Sequence, residues 1–162
     1  MQILKYSNLS NKRKYQTLEY ILVKSNNLGW NTTVLLKRTE ALKDKNYGAY
    51  IIENNNKING FYIISDSDGT NKDSTNFSKY QPEEKAYWVC SLFIDKTDVN
   101  IFIKVLNSVK SQDLLKIAPL YIYFENQKLY NIMCNRYNVR RVTKEYEIYK
   151  ISHKQKNIPY IL

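Results

Sequence analysis

The chain has few of the residues that build metal centres and disulfide frameworks. Its 162 residues include two cysteines and one histidine. Cys90 and Cys134 lie in apolar stretches, and neither has a further cysteine or histidine at the spacing of zinc ligands. His153 has no serine, cysteine or aspartate at a spacing that suggests a catalytic triad. We therefore predict two reduced core thiols, a surface histidine and no metal site.

Long apolar runs are also missing. No stretch approaches the roughly 20 apolar residues that a helix needs to cross a bilayer. No charged and then apolar leader precedes a cleavage site. The sequence thus predicts a soluble, cytoplasmic protein with no membrane partner.

The chain has fewer acidic than basic residues. The 15 Asp and Glu residues, against 25 Lys and Arg, give a formal net charge of +10. Such an excess favours an anionic partner: nucleic acid, a phosphorylated cofactor or an acidic protein surface. The lysines are scattered, and Lys, Asn, Ile and Tyr share A/T-rich codons, so a solvated basic face is the alternative interpretation. Base stacking would need exposed tyrosines, whereas Tyr87, Tyr121 and Tyr123 lie in apolar strand patterns.

What is present is one strongly apolar segment around which the rest can be arranged. The segment Ala86–Ile94 is rich in aromatic and β-branched residues, and a helical pattern with Val99, Phe102 and Leu106 follows it. This combination is typical of a buried central strand with a helix behind it. A second apolar strand at Leu120–Phe124 comes next. Because such crossovers are right-handed, we predict that the two strands are parallel neighbours.

Local signals place the remaining elements. Ser10 is a candidate N-cap for the first helix, and residues 54–57 form the turn of a predicted β-hairpin. Asn138 is a candidate left-handed C-cap for the last helix. The polar stretch Ser65–Lys85 predicts a long loop, and Thr143–Ile151 alternates as a final, half-exposed strand.

The length and the 43% hydrophobic content allow one domain with a real core. We predict a single α/β (α+β) domain over residues 1–151, with a mixed sheet of about six strands and flanking helices. A polar insertion is expected at residues 65–85, and a tail at residues 152–162.

The order strand, helix, helix, strand, strand, long strand, helix, strand, helix, strand resembles the GNAT superfamily of acyl-CoA N-acyltransferases. The segment Trp88–Ile94 resembles the family's fourth strand. The segment Met133–Val139 resembles the family's Leu-Tyr-Glu-Lys-x-Gly-Phe ending of the last helix, in degenerate form. The resemblance covers residues 1–151 and implies a GNAT-like fold.

The resemblance also implies where acyl-CoA would bind. In such enzymes the fourth strand splays from the fifth and pairs with the pantetheine arm, while a glycine-rich loop at a helix N-terminus binds the pyrophosphate. The segment Asp95–Asn100, however, has no glycine and two carboxylates. At ~4 Å from a phosphate, each carboxylate would cost about 1 to 4 kcal/mol, and Thr97 or Asp98 is better explained as a helix N-cap. The matching positions, which bind cofactor only if acyl-CoA binds at all, are Val89, Cys90, Ser91, Leu92, Lys96, Thr97 and Asn126.

The family's general acid is a tyrosine that protonates the departing thiolate. Its position falls on Cys134, or on Met133 if the register slips by one, and Tyr130 lies one helical turn earlier. Tyr130 and Cys134 are therefore the candidate catalytic residues if the chain is active. The candidate general bases are acidic residues that also suit a solvated surface: Glu53, Glu83 and Glu84.

Three hypotheses of function follow. We favour a GNAT-like domain that has lost catalysis, holds no cofactor and serves as a binding or structural component, for instance of a viral or phage assembly inside a particle. The first alternative is an active N-acyltransferase with divergent motifs that uses acetyl-CoA. The second is a basic nucleic-acid-binding domain.

The tail supplies the candidate partner site. Its apolar residues have no place in the core pattern, and an exposed apolar patch usually marks a contact surface. We predict that the tail docks on another protein or a second copy of the chain, with folding back onto its own domain as the alternative. The residues concerned are Ile158, Tyr160, Ile161 and Leu162.

Overall fold

Two groups of strands meet in the middle of one sheet. The computed structural model describes residues 1–28, 32–45, 47–68, 84–95, 99–111, 113–123, 127–142 and 148–152. The first group is antiparallel and consists of β1 (Gln2–Lys5), β2 (Ala49–Asn54), β3 (Lys57–Asp68) and β4 (Lys85–Ile94). The second group consists of β5 (Leu120–Tyr123), β6 (Asn138–Arg141) and β7 (Ile148–Ser152).

The strand order is β1-β2-β3-β4-β5-β7-β6. The strand β5 runs parallel to β4 and antiparallel to β7, and β7 pairs antiparallel with β6. The two parallel strands are connected through a helix. The prediction that they are parallel neighbours is therefore confirmed. Over the described residues the sheet has seven strands rather than about six.

The helices cover both faces of the sheet. They are α1 (Asn11–Leu28), α2 (Thr32–Ala41), α3 (Val99–Ser111), α4 (Leu114–Ile117) and α5 (Gln127–Arg136), with a 3-10 turn at Tyr6–Asn8. None of the described helices is long and apolar enough to cross a bilayer.

Neighbouring residues of β3 show which helices share a face. The ring of Phe61 contacts Tyr20 of α1, whereas the hydroxyl of Tyr62 bonds Ser108 of α3 at 2.6 Å. Successive side chains of a strand point to opposite faces. Ser65 lies on the same face of β3 as Phe61, and its hydroxyl accepts a hydrogen bond from Arg38 of α2. Both α1 and α2 therefore lie on one face of the sheet, which we call the α2 face. The opposite face carries α3.

The core lies in the sheet interior, as the apolar strand patterns predict. Ile52, Tyr62, Ile63 and Ile64 are fully buried, and Ile151 of β7 is equally inaccessible. The fold is therefore a mixed α+β domain with flanking helices, which confirms the predicted α+β class with a mixed sheet.

Two local predictions are confirmed as well. The backbone N–H of Arg13 donates to the Ser10 hydroxyl at 3.3 Å, so Ser10 caps α1. The β2–β3 turn places Asn55 and Asn56 at φ values of 51° and 63°. Two consecutive left-handed residues are the signature of the tight turn that matches strand twist.

Two boundary predictions were wrong. The expected loop does not begin at Ser65, because β3 continues and pairs Ser65 with Trp88 and Asp68 with Lys85. The polar side chains do not prevent this extension, since β4 supplies the backbone hydrogen bonds. Asn138 is not a C-cap: it begins β6 and pairs with Ser152. The last helix therefore ends at Arg136, and of the predicted final strand the residues 143–147 lie outside the described residues.

Candidate functional site

The strands β4 and β5 separate soon after they meet. Their pairing comprises Tyr87 with Leu120 and Trp88 with Tyr121. Beyond this point β4 continues to Ile94 along β3, and β5 continues along β7. Within the described residues nothing pairs the two facing edges there. We call this opening the fork, and its base is the Trp88–Tyr121 pair.

The expected cofactor-binding positions of β4 line one arm of the fork. The register of β3 against β4 shifts at this point, because Ile63 lies opposite Ser91 and Ile64 lies opposite Val89. Cys90 therefore has no opposite residue on β3, and the shift forms a β-bulge. A bulge turns backbone N–H and C=O groups away from the regular ladder. The segment from Val89 to Leu92 is therefore a strand edge whose backbone groups can form hydrogen bonds with a ligand.

The carboxylate of Asp95, at the end of β4, is paired with a positive charge. The hydroxyl of Tyr20 donates to Asp95 at 2.8 Å, and the Lys24 ammonium lies 3.2 Å from the same oxygen. The ammonium also lies 5.3 Å from the centre of the Phe93 ring. Burial raises the pKa of Tyr20, and the bond to Asp95 raises it further, so Tyr20 stays a donor. The predicted electrostatic cost of Asp95 near a phosphate is therefore offset, because its charge is paired.

The candidate catalytic residues of α5 lie beside the other arm. Tyr130 is half-buried, and its ring centre lies 5.3 Å from that of Tyr149. Tyr149 pairs with Ile122 of β5, above the base of the fork. A hydrogen bond with Cys134 raises the pKa of Tyr130. Tyr130 is thus protonated at neutral pH and able to donate a proton.

The other two positions considered on α5 have different environments. Met133 is buried, with 1% of its surface exposed, so it belongs to the core. Cys134 is a free thiol, which agrees with the predicted reduced state, and it is half-buried. The side chain of Cys90 lies outside the described part of the chain.

Glu53 is not at the fork. It belongs to β2, which β3 separates from β4. Only 8% of its surface is exposed, and the Arg13 guanidinium donates to its carboxylate. It is therefore an ion-paired buried acid, and the expectation of a solvated carboxylate was wrong.

Glu84 lies next to the base of the fork. Its carboxylate accepts hydrogen bonds from the Tyr121 hydroxyl and the Lys150 ammonium. The bond from Lys150, and then that from Tyr121, lowers the pKa of Glu84. Both bonds favour the ionised form, which makes Glu84 a weaker base than an ordinary carboxylate.

A donor that the sequence did not reveal lies at the base of the fork. Trp88 is 4% exposed, and its indole Nε1–H has no hydrogen-bond partner among the described residues. An unmade bond to a buried donor costs about 1 to 3 kcal/mol. The guanidinium carbon of Arg38 lies 5.8 Å from the centre of the Trp88 ring. From the sequence, Trp88 could be identified only as a residue of the central strand. Whether its N–H has a partner depends on the neighbours that the folded chain supplies.

Comparisons with known proteins leave the family open. No protein-family model matches the chain, and no curated protein sequence is significantly similar to it. Among solved structures, the chain is similar to "AtaT complexed with acetyl-methionyl-tRNAfMet". The identity is 19% over 74% of this chain and 79% of that chain, with a TM-score of 0.38. A likeness this distant carries no argument, so the fold assignment rests on the strand order.

Other predicted site residues lie outside the described residues. These are the loop and helix-start positions Lys96, Thr97, Asp98 and Asn126, the acid Glu83, the histidine His153 and the tail residues Ile158, Tyr160, Ile161 and Leu162. Within the described ranges, no group of His, Cys, Asp and Glu side chains is arranged to hold a metal ion.

Two features thus lie at the fork, a β4 edge that nothing pairs within the described residues and a paired carboxylate at the end of β4, while Tyr130 packs on β7, the strand beyond β5. A free edge can form backbone hydrogen bonds with an extended chain that carries amide groups. A protonated hydroxyl near such a chain can give a proton to a leaving group. The arrangement suits an extended amide-bearing ligand.

Proposed function

We propose that this GNAT-like domain binds the pantetheine arm of an acyl-CoA in the fork. The observation that carries the proposal is the short pairing of β4 with β5, which ends at Trp88 and Tyr121 while both strands continue. The pantetheine arm has two amides, and its extended form matches a strand edge. The bulge at Cys90 adds backbone groups at the place where the arm would end.

The electrostatics of the fork support the same ligand. The Lys24 ammonium pairs the Asp95 carboxylate and thereby reduces repulsion toward a pyrophosphate at the end of β4. The net charge of +10 also favours a polyanionic ligand.

The reaction that fits is transfer of the acyl group to an amine. In that reaction the thioester C–S bond breaks, an amide C–N bond forms, and the departing thiolate takes a proton. Tyr130 is our candidate for the general acid, because it lies one helical turn before Cys134, the position that the resemblance assigns to that acid. The amine would lose its own proton to solvent or to a base.

The second candidate is a domain that binds its ligand without turnover. Two of the predicted bases favour it, since Glu53 lies on β2, away from the fork, and is paired with Arg13, while the bond from Lys150 lowers the pKa of Glu84. A carboxylate with a lowered pKa is a weaker base, so Glu84 is a poor candidate for the proton acceptor. A viral or phage assembly as the setting stays a prediction.

Calorimetry with acetyl-CoA tests the binding proposal. We expect an affinity in the micromolar range, which Lys24→Gln weakens because it leaves Asp95 unpaired, while Lys43→Gln at the exposed end of α2 leaves it unchanged. Absence of heat with millimolar acetyl-CoA would contradict the proposal.

A transfer assay then separates the two candidates. If the chain is an enzyme, Tyr130→Phe lowers kcat by about 100-fold or more with unchanged acetyl-CoA affinity. Tyr15→Phe is the matched control, because Tyr15 is 67% exposed on α1. Binding without turnover for any amine supports the second candidate.

A further inference from the structure

The two groups of strands are joined in the sheet by a short contact, which we call the junction. Its residue pairs are Tyr87 with Leu120 and Trp88 with Tyr121. The backbone N–H of Tyr87 also donates to the Pro119 carbonyl at 2.9 Å. Because so few residues pair, side chains that cross the junction contribute a large share of its stability.

One such side chain belongs to Glu84, which directly precedes β4. Its carboxylate accepts hydrogen bonds from the Tyr121 hydroxyl of β5 and the Lys150 ammonium of β7. The charge of Arg140, on β6, also lowers the pKa of the Glu84 carboxyl. Each strand of the second group thus supplies a side chain that interacts with Glu84, which itself extends from the first group.

The carboxylate also offsets a repulsion within the second group. Lys150 and Arg140 are directly opposite in the β6–β7 register, so their side chains share one face of the sheet. Like charges in such a pair destabilise a sheet. Release of Glu84 would therefore remove two hydrogen bonds across the junction and leave this repulsion without a counter-charge.

The contact is accessible enough to break while the domain stays folded. The side chain of Glu84 is 43% exposed, and that of Lys150 is 24% exposed. Water can solvate both charges when they separate, so the cost is small beside that of a buried ion pair. A contact of this strength is suited to local opening rather than to global unfolding.

We propose that Glu84 is a latch: its bonds to Tyr121 and Lys150 hold the junction closed, and their release lets the base of the fork open to admit a ligand. A wider fork requires β5 to move away from β4, and the junction is where these strands are joined. The control of ligand entry rests on the proposed function, whereas the hold on the junction needs no ligand.

Hydrogen–deuterium exchange of the full chain, followed by nuclear magnetic resonance, tests the hold on the junction. The amide of Tyr87 reports on it, because its bond to Pro119 joins β4 to the residue before β5. The amide of Ile64 is the internal control, since its bond to Gly48 lies within the first group of strands and their flanks. We expect Glu84→Ala to speed exchange at Tyr87 about three- to tenfold, and exchange at Ile64 to stay unchanged.

Further variants show which bonds act. Tyr121→Phe and Lys150→Gln each remove one donor, so each should speed exchange at Tyr87 less than Glu84→Ala does. Glu40→Ala is the matched control for loss of one ion pair, because Glu40 pairs with the exposed Lys43 at the end of α2. This control should leave exchange at Tyr87 unchanged.

Unchanged exchange at Tyr87 in folded Glu84→Ala would overturn the latch. An equal increase at Tyr87 and Ile64 would overturn it as well, because it would indicate a general loss of stability. If Glu84→Ala does not fold, Tyr121→Phe and Lys150→Gln decide by the same criterion.

Stopped-flow binding of acetyl-CoA tests the control of entry. We expect the association rate constant to rise in Glu84→Ala by the same factor as exchange at Tyr87, and to stay unchanged in Glu40→Ala. Faster exchange with an unchanged association rate constant would overturn the control of entry. If acetyl-CoA binds to none of these proteins, the proposed function and the control of entry are both wrong, and exchange at Tyr87 still decides whether Glu84 holds the junction.

Discussion

At the scale of single residues, Glu84 links the stability of the fold to pH. Its pKa is lowered in the folded chain by the bonds from Lys150 and Tyr121. A carboxyl group of this kind stabilises the fold at pH values above its unfolded pKa, and the contribution is lost as the pH falls through the folded pKa. We therefore expect Glu84→Gln to lower the melting temperature at neutral pH and to have little effect in acid.

Thermal melts followed by circular dichroism at several pH values measure this difference. Glu19→Gln is the control for loss of one charge, since Glu19 is exposed on α1. An equal effect of Glu84→Gln at acid and neutral pH would show that packing, and not ionisation, is responsible.

Some contacts of single residues could not be predicted from the sequence. The pairing of Tyr20 with Asp95 joins residues 75 positions apart, and nothing in either local pattern indicates it. The unpaired N–H of Trp88 depends on the neighbours that the whole fold supplies. The general location of Tyr130 was predictable, because helical spacing places it one turn before Cys134.

At the scale of elements, the N-terminal part of α1 is fixed to the sheet by a charged contact. The Arg13 guanidinium donates to Glu53, whose side chain is 10% exposed, while that of Arg13 is 25% exposed. Removing Arg13 leaves a nearly buried carboxylate unpaired. We expect Arg13→Gln to cost about 2 to 4 kcal/mol of unfolding free energy, and Arg13→Gln with Glu53→Gln to cost less than the sum of the two single changes.

Urea unfolding gives the four free energies of this cycle. The control cycle uses Glu40 and Lys43, an exposed pair at the end of α2, and should show no coupling. Additive costs at Arg13 and Glu53 would mean that the contact does not hold α1 in place.

The elements themselves were predictable wherever a local pattern was strong. The apolar runs of β2, β4 and β5 and the helical spacing of α1, α3 and α5 identify them from sequence. The strand β6 was missed because Asn138–Arg141 has one half-buried apolar residue, Val139, and takes its strand form from pairing with β7. The fork was expected from the resemblance alone, since the residue at which two strands stop pairing is set by tertiary geometry.

At the scale of the whole molecule, β7 is the last strand of the described residues. Its Ile151 is fully buried, and β7 lies between β5 and β6. We expect deletion of residues 157–162 to abolish assembly with a partner protein or a second copy, and to leave the melting temperature of the monomer unchanged. Light scattering and thermal melts measure the two effects, and a clear fall in monomer stability would contradict docking.

The short contact between β4 and β5 also bears on how the molecule folds and opens. Strands β2 to β4 form a meander with near neighbours along the chain, and β5 to β7 form a second local group. Local pairings form early, and pairings across long loops form late. The two groups can therefore behave as separate cooperative units, joined in the sheet by one narrow seam that opens before either unit unfolds. A ligand that fills the fork would clamp these units together, and hydrogen exchange would slow first along that seam.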